Sequence, residues 1–467
     1  MKPNVIFILV DDLGYGDLGK YNPNESLSPH IDSLMDEGVC FSQCYAGSPV
    51  CNPSRASLLT GRYPMKTGSV DTLEWRGLER LNLEEITMAD YFKAGGYKTG
   101  IVGKWHLGAF DMKYHPQNRG FDETVCFRGG MHDYYDWRLE YGNSIKRGDG
   151  RYLTDLWTDE AVDFIKRNSK EPFFLHLAYN APHTPLQVPG EEAEPFLQKG
   201  CYNESVSALY GMIKRMDKGI GRVMEEVKNQ GLDENTIIIF SSDNGPQFEY
   251  GTNHGGNDAN DSLERFNCNL HGSKGTVYEG GIKVPQIIRW NNTIKAGTSD
   301  NDMFHFCDWL PSLKSLCSLP SLEKGKELDG VDFSERIMGK AGGDSPARFW
   351  QWNRYSPVPG CNTAIRDGKW KLVLPEIPEA MEVFDIQWLN KSMYEPEYFI
   401  ERGIIMDEDP PRTISSPLKA ELYDIESDPG ETNDLADENR ELVGLLENKL
   451  SSWFESEYKE YSKVSRS

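Results

Sequence analysis

The run Val5-Ile6-Phe7-Ile8-Leu9-Val10 leaves this chain few ways to fold. Consecutive apolar, largely β-branched residues give a strand no polar face, so it is buried on both sides, as in a parallel sheet covered by helices. Thr236-Ile237-Ile238-Ile239-Phe240 repeats the pattern, and further strands are predicted over residues 99–102, a short one, and 172–179. Helical periods lie between them, over residues 84–92, 154–168 and 204–229. The last carries Val206, Leu209, Ile213, Met216, Ile220, Val223 and Val227 on one stripe. This alternation predicts an α/β fold with a mostly parallel central sheet flanked by helices.

At 467 residues the chain is long enough for a large core and two subdomains. The character changes near residue 345, which divides a domain of residues 1–345 from a smaller α+β subdomain of residues 346–467. In the smaller part, residues 363–374 read as an exposed hairpin around Asp367-Gly368. A Pro- and Glu-rich stretch fills residues 375–411, and a terminal helix runs over residues 437–454. Residues 119–151, rich in aromatics and charge without a clean period, read as loop rather than core.

The formal charge of −23 argues against nucleic acid as a partner, and an anionic substrate then needs a local basic pocket or a metal ion. The nine cysteines form no CxxC pair, a pattern that suits a reducing compartment. No segment approaches transmembrane length, so no membrane partner is expected. The first apolar run is too short for a signal-peptide core and meets two aspartates at once. The chain as it stands therefore reads as cytoplasmic, or as periplasmic or secreted had a signal been removed.

Chemistry gathers after the strands, where open α/β sheets bind ligands. Asp11-Asp12 and Asp243-Asn244 each follow an apolar strand directly and offer the oxygen donors of a hard cation, Ca²⁺ or Mg²⁺ rather than zinc. Lys104 and His106 stand in a glycine-bounded turn, His183 sits between two prolines, and Lys274 lies in a Gly-rich segment. Cys51 precedes Pro53 at a predicted helix start, so the dipole end and Arg55 surround it with positive field.

These stretches together resemble the formylglycine-dependent sulfatases of the alkaline phosphatase superfamily. The resemblance rests on the strand ending in Asp11-Asp12-Leu13-Gly14, on Cys51-Asn52-Pro53-Ser54-Arg55 with Leu59-Thr60-Gly61-Arg62, and on Gly103-Lys104-Trp105-His106-Leu107-Gly108. Ala181-Pro182-His183-Thr184-Pro185, Ser242-Asp243-Asn244-Gly245 and the segment from Lys274 to Gly281 follow in the family's order. It implies an alkaline-phosphatase-like mixed sheet and hydrolysis of sugar, aryl or steroid sulfate monoesters, with a phosphonate monoester hydrolase or phosphodiesterase as the alternative. It further implies that Cys51 is oxidised to formylglycine by a maturation enzyme, and that Asp11, Asp12, Asp243 and Asn244 hold Ca²⁺, in preference to Mg²⁺, against residue 51. Arg55 would fix the hydrated aldehyde, Lys104 and Lys274 the sulfate oxygens, His183 with Lys274 the leaving oxygen, and His106 would be the base of the release step.

For the leaving group, Trp75, Arg128, His132, Asp133, Tyr134, Trp137, His254 and Trp352-Asn353-Arg354 are candidate pocket residues, since aromatics interspersed with charge suit a sugar or aryl ring. The acidic surface favours a small or chain-terminal sulfate ester over attack inside a long polysulfated chain. The sequence leaves the oligomeric state open.

Overall fold

The computed structural model describes residues 2–248, 262–340 and 345–464. Its main sheet has ten strands, and the central five are parallel in the order Thr236–Ser242, Asn4–Val10, Phe173–Ala178, Lys98–Lys104, Glu123–Phe127. Asn4–Val10 is the second of these five, with Val5 level with Phe174 on one side and Ile237 on the other. Its two faces feed two different cores. Val5, Phe7 and Leu9 join Phe92, Ile239 and Trp309, while Ile6, Ile8 and Val10 join Trp157, Ile213 and Met216. Such a strand has no polar position to offer, which accounts for the unbroken apolar run.

The flanking helices form where the periodicity places them, at Leu153–Asn168 and Glu204–Asn229. The helix expected over residues 84–92 is shifted to Met88–Ala94. Thr87 accepts the Asp90 backbone N–H there and the Asp90 carboxylate answers at the Thr87 N–H, a capping box that overrides the earlier glutamates.

Residues 119–151 do not form a loop region. They supply the fifth parallel strand, Glu123–Phe127, and an antiparallel hairpin of Arg138–Tyr141 with Ser144–Arg147 at the sheet edge. Phe121, Cys126, Tyr134, Trp137 and Leu139 are buried. Charge masked the strand pattern because Glu140 is buried against Arg128 and His115, satisfying charges that sequence alone assigns to solvent.

The later part of the chain builds a four-stranded antiparallel sheet from Arg348–Gln351, Thr363–Asp367, Trp370–Leu374 and Glu421–Asp424. The hairpin at Asp367-Gly368 forms with its turn exposed at Gly368 and Lys369, but its strands are buried rather than exposed. One face, with Ile365, Leu372 and Leu422, packs on the terminal helix Arg440–Tyr461 through Leu446 and Leu450. The other, with Trp350, Ala364 and Val373, meets Tyr45, Val277 and Ile282 of the larger sheet's side. Residues 375–411 contain the short helices Pro378–Met381, Leu389–Tyr394 and Glu397–Arg402. Phe399 stacks on Phe110 and belongs to the cluster of Leu73 and Trp75. Among the described residues, no helix is long and apolar enough to cross a membrane.

Candidate active site

The helix Cys51–Thr60 is buried along its whole length. Val50 precedes it in an extended conformation without a side-chain cap, so the first-turn N–H groups stay available beside Cys51. Gly61, at φ 68°, ends it by returning its N–H to the Ser57 carbonyl. The motif side chains tie this helix to its surroundings. Asn52 donates to the carbonyls of Glu79 and His106, both at 2.7 Å, and Arg55 reaches the Lys104 carbonyl at 3.1 Å.

Three carboxylates gather at the ends of two adjacent strands, two of them, Asp11 and Asp243, against Cys51. Asp11 and Asp243 are completely buried, and Asp12 nearly so, at φ 65°. The Asp12 N–H donates to Asp243 Oδ1 at 3.4 Å, and the Asn244 amide donates to Asp12 Oδ1 at 2.7 Å. Ligand atoms of Asp11, Cys51 and Asp243 lie within 4.8 Å of one another, as do those of Asp11, Asp12 and His183. Ligands bound to one Ca²⁺ at roughly 2.3–2.6 Å cannot stand more than about 5 Å apart, and each of these two triads, which share Asp11, meets that limit. Asp11 Oδ1 and Asn244 Oδ1 are buried and accept no hydrogen bond. These acidic residues could hold a metal ion.

Three cations close the carboxylates from the other side. Arg55 donates to Asp243 Oδ2 at 2.8 Å, Lys104 Nζ to Asp11 Oδ2 at 2.6 Å, and Lys274 Nζ to Asp12 Oδ2 at 2.8 Å. Burial raises the Asp11 carboxyl, but Lys104, His183 and Arg55 outweigh it and hold that group well below its ordinary value. Burial and the neighbouring Asp11 push Asp243 up. Burial and Lys274 lower His183 to about 4, and burial with Lys104 and Arg55 drives His106 well below its usual range. Burial also raises the Cys51 thiol, against the pull of Lys104 and Lys274. A protonated, buried thiol is a poor nucleophile.

Cys51 opens into a cleft of about 600 Å³ that also touches His106, His183, Lys274, Trp75 and Arg354. A model of the sulfatase family matches residues 3–317. The N-acetylgalactosamine-6-sulfatase of Canis lupus familiaris is 31% identical over 380 residues, 75% of this chain and 68% of that protein. Arylsulfatase J of Mus musculus is 30% identical over 476 residues, 97% of this chain and 76% of its own. The solved structure of Ps i-CgsB in complex with k-i-k-neocarrahexaose superposes with a TM-score of 0.77 at 29% identity, covering 97% of this chain and 93% of that one.

The chain belongs to the sulfatase family.

It is a sulfuric ester hydrolase with the alkaline-phosphatase-like fold that the sequence resemblance implied, and its substrate is a sulfate ester. The structure gathers Asp11, Asp12, Cys51, Arg55, Lys104, His106, His183, Asp243, Asn244 and Lys274 of this sulfatase at one end of the parallel strands. Of the candidate pocket residues, Trp75, Trp352 and Arg354 line the cleft.

Arg128, His132 and Trp137 do not. They line a second cavity of about 120 Å³ that meets the cleft at Met131, Ser392 and Met393. Each is committed there: Arg128 to Glu140 at 3.0 Å, His132 Nε2 to the Arg138 backbone at 2.9 Å, and Trp137 Nε1 to the Arg151 carbonyl at 3.0 Å. Asp133 and Tyr134 brace the His183 loop, through Gln187 and through the Asn180 and His183 carbonyls respectively. Asn353 bonds to the Arg354 and Ser356 carbonyls within its own loop. His254 lies outside the described residues.

Two contributors escaped the sequence reading. Glu74, buried in a short turn, faces His106 across 3.9 Å. The segment at residues 375–411 walls the cleft with Met381, Val383, Ile386, Leu389 and Met393. An apolar residue every few positions amid the prolines and glutamates was the available signal.

Proposed function

We propose that this sulfatase removes sulfate from a chain-terminal or small sulfated saccharide, using a formylglycine made from Cys51 by a maturation enzyme of the producing cell. The observation that carries the reading is the placement of Cys51 within one ligand sphere of Asp11 and Asp243, with Lys104 and Lys274 on the flanking carboxylates. Its thiol is held protonated by burial, which suits a residue whose sulfur is removed before catalysis. A hydrated formylglycine would supply an oxygen nucleophile and a second hydroxyl for release, and Ca²⁺, held by Asp11, Asp12, Asp243 and Asn244, would supply positive charge at the sulfuryl oxygens.

The chain's own side chains divide the remaining work. Arg55, locked between Asp243 and the Lys104 carbonyl, orients residue 51 at the helix start. Lys104 and Lys274 leave their carboxylates for the sulfuryl group, whose charge they neutralise in a water-poor site. His183, on the cleft wall, stands at the leaving oxygen and shares proton delivery with Lys274, which stays charged beside Asp12 where the buried imidazole is neutral. His106 accepts a proton in the step that frees sulfate.

Residues 1–345 carry this machinery, and residues 346–467 act as the subdomain that completes the leaving-group wall. The names of the relatives support a saccharide, since one is an N-acetylgalactosamine-6-sulfatase and another was solved with a neocarrahexaose. Trp352 with Arg354 stacked 4.9 Å above its ring offers the flat and polar surfaces that a sugar presents to.

The test is desulfation of defined sulfated mono- and oligosaccharides beside hydrolysis of a phenyl phosphonate ester, with protein from a host that converts the cysteine. Release of sulfate from a terminal sugar is expected to dominate. Faster phosphonate cleavage overturns the reading.

A further inference from the structure

Glu74 is a buried carboxyl on the cleft wall to which the chemistry above assigns no task. It stands at the start of the turn Glu74–Arg76, and its Oε1 lies 3.9 Å from Nε2 of His106. The contact depends on Gly129-Gly130, which follow the strand Glu123–Phe127 and Arg128. The Gly130 N–H donates to Glu74 Oε1. A Cβ at Gly130 would come within 2.6 Å of both Cε1 and Nε2 of His106, and one at Gly129 within 3.1 Å of Glu74 Oε1. Two missing side chains therefore make the space in which carboxylate and imidazole face each other.

His106 is held firmly by its backbone, at φ 55°, with its N–H on the Arg128 carbonyl at 3.1 Å and its carbonyl taken by Asn52. Its ring is not held in that way. Neither Nδ1 nor Nε2, both buried, has a hydrogen-bond partner. Lys104 and Arg55 press against a positive imidazole, while Asp11 favours one and His183 opposes it.

We propose that Glu74 is a positioning residue for His106: its carboxylate takes the Nε2–H, fixes that tautomer, and leaves Nδ1 as the nitrogen that accepts the proton. The inference rests on the proposed role of His106 for its catalytic consequence, though not for its geometry. In the release step His106 would take at Nδ1 the proton of the free hydroxyl on residue 51, whose oxygen would form the C=O bond as the C–O bond to sulfate breaks and sulfate leaves. The ring then becomes a cation in a site already holding Lys104 and Arg55. Glu74, as carboxylate, pairs with that cation and returns the pair to neutrality. The logic is that of a carboxylate orienting a catalytic histidine from behind. Such contacts are commonly long before substrate binds and tighten afterwards. Burial raises Glu74 to about 7 against the Gly130 N–H, Lys104 and the Ser392 hydroxyl, with Glu79, also raised by burial, as the neighbouring acid. The Glu74 carboxylate is gained as pH rises through neutrality.

The test follows the His106 ring by ¹⁵N NMR in the full, Ca²⁺-loaded chain with the thiol at position 51, comparing wild type with E74Q, E74L, E74D and G130A. In the wild type the neutral ring is expected to carry its proton on Nε2. In E74L and G130A the two tautomers are expected to mix. In converted enzyme, E74Q is expected to lose about 10²-fold or more in kcat while KM holds, as for loss of acid–base assistance. E74D is expected to recover part of it, and the rise of kcat through pH 7 is expected to vanish in E74Q. A wild-type ring protonated on Nδ1, or a tautomer indifferent to both E74L and G130A, overturns the proposal. So does an E74Q defect confined to KM, which would make Glu74 a reader of substrate. The ring measurement needs no turnover, so a wild type inactive on sulfate esters would refute the functional reading while leaving this one decided on its own terms.

Discussion

Lys104 Nζ lies 2.6 Å from Oδ2 of Asp11, and neither side chain has any solvent exposure. This is a buried pair whose anion also belongs to the proposed metal site, so the lysine and a divalent ion compete for one carboxylate. Removing one member of a buried pair typically costs about 3–5 kcal/mol, because the other charge is left uncompensated. Lys104→Met is therefore expected to destabilise the protein by that amount in chelator and by much less in Ca²⁺, where the ion replaces the lost charge. Urea unfolding under both conditions measures it; equal losses would contradict the shared-carboxylate arrangement.

Asp243 holds Arg55 at 2.8 Å and faces Cys51 and Asp11. Asp243→Asn keeps the shape but removes a negative charge from the ion and from the guanidinium together. Calcium binding by titration calorimetry is expected to disappear, and turnover to fall by more than the roughly 100-fold seen for outer-shell changes at metal sites. Calcium bound at wild-type strength by this variant would remove Asp243 from the site.

Cys51 is small and sits at a helix start, so Cys51→Ala is expected to cost about 1 kcal/mol in stability, the scale of one buried methylene. Turnover is expected to fall to background. In wild-type protein from a converting host, mass spectrometry of the peptide containing residue 51 is expected to show the aldehyde in place of the thiol. An active enzyme with an intact thiol would contradict the assignment.

Glu457, nearly buried on the terminal helix, meets Lys66 at 3.1 Å, yet burial pushes its carboxyl up from 4.5 to about 7. A carboxyl whose folded value exceeds its unfolded one favours folding most when protonated. Its contribution is complete below about pH 4.5 and is lost as pH rises through about 7. Glu457→Gln stays neutral throughout, so at pH 8 it is expected to be about 1–3 kcal/mol more stable than wild type, with the gain fading toward pH 5. Chemical denaturation at the two pH values measures this, and a gain that grows toward acid pH would reverse the sign.

Arg354 reaches Asp71 at 3.1 Å and Thr72 at 2.9 Å while its guanidinium lies over Trp352 on the cleft wall. Arg354→Ala is expected to raise KM for a sulfated saccharide about 10–100-fold, the scale of a charge-assisted hydrogen bond, with kcat changed far less. A nitrophenyl sulfate, too small to span the cleft, is expected to lose much less. Equal losses on both substrates would make Arg354 a structural residue.

Much of this molecule was legible from local pattern. The two apolar runs implied a parallel sheet because a strand buried on both faces has nowhere to put a polar residue, and both lie side by side at the sheet's centre. The stripe from Val206 to Val227 implied the long helix for a similar reason. Where charge interrupted the pattern, as around Glu140 and Arg128, a true strand was hidden, because the partners that make buried charge tolerable lie elsewhere in the chain. The hairpin at Asp367-Gly368 was visible as a turn, but its burial depended on a terminal helix many residues later.

The sequence by itself determined the chemical inventory: oxygen donors after two apolar strands, a cysteine at a helix start, lysines and histidines in glycine- and proline-bounded turns. These are local properties, set by backbone freedom and side-chain type within a few residues. Tertiary structure alone decided which of them share a site and which serve the frame. Asp12 and Asp243 meet across 231 positions of chain. Glu74 finds His106 only because Gly129 and Gly130 carry no side chains between them. Arg128, His132 and Trp137 resemble the cleft residues in composition but are taken by Glu140 and by backbone groups. Side-chain type fixes what a residue can do, but whether it does so depends on which partners the long-range packing of the sheet brings within reach.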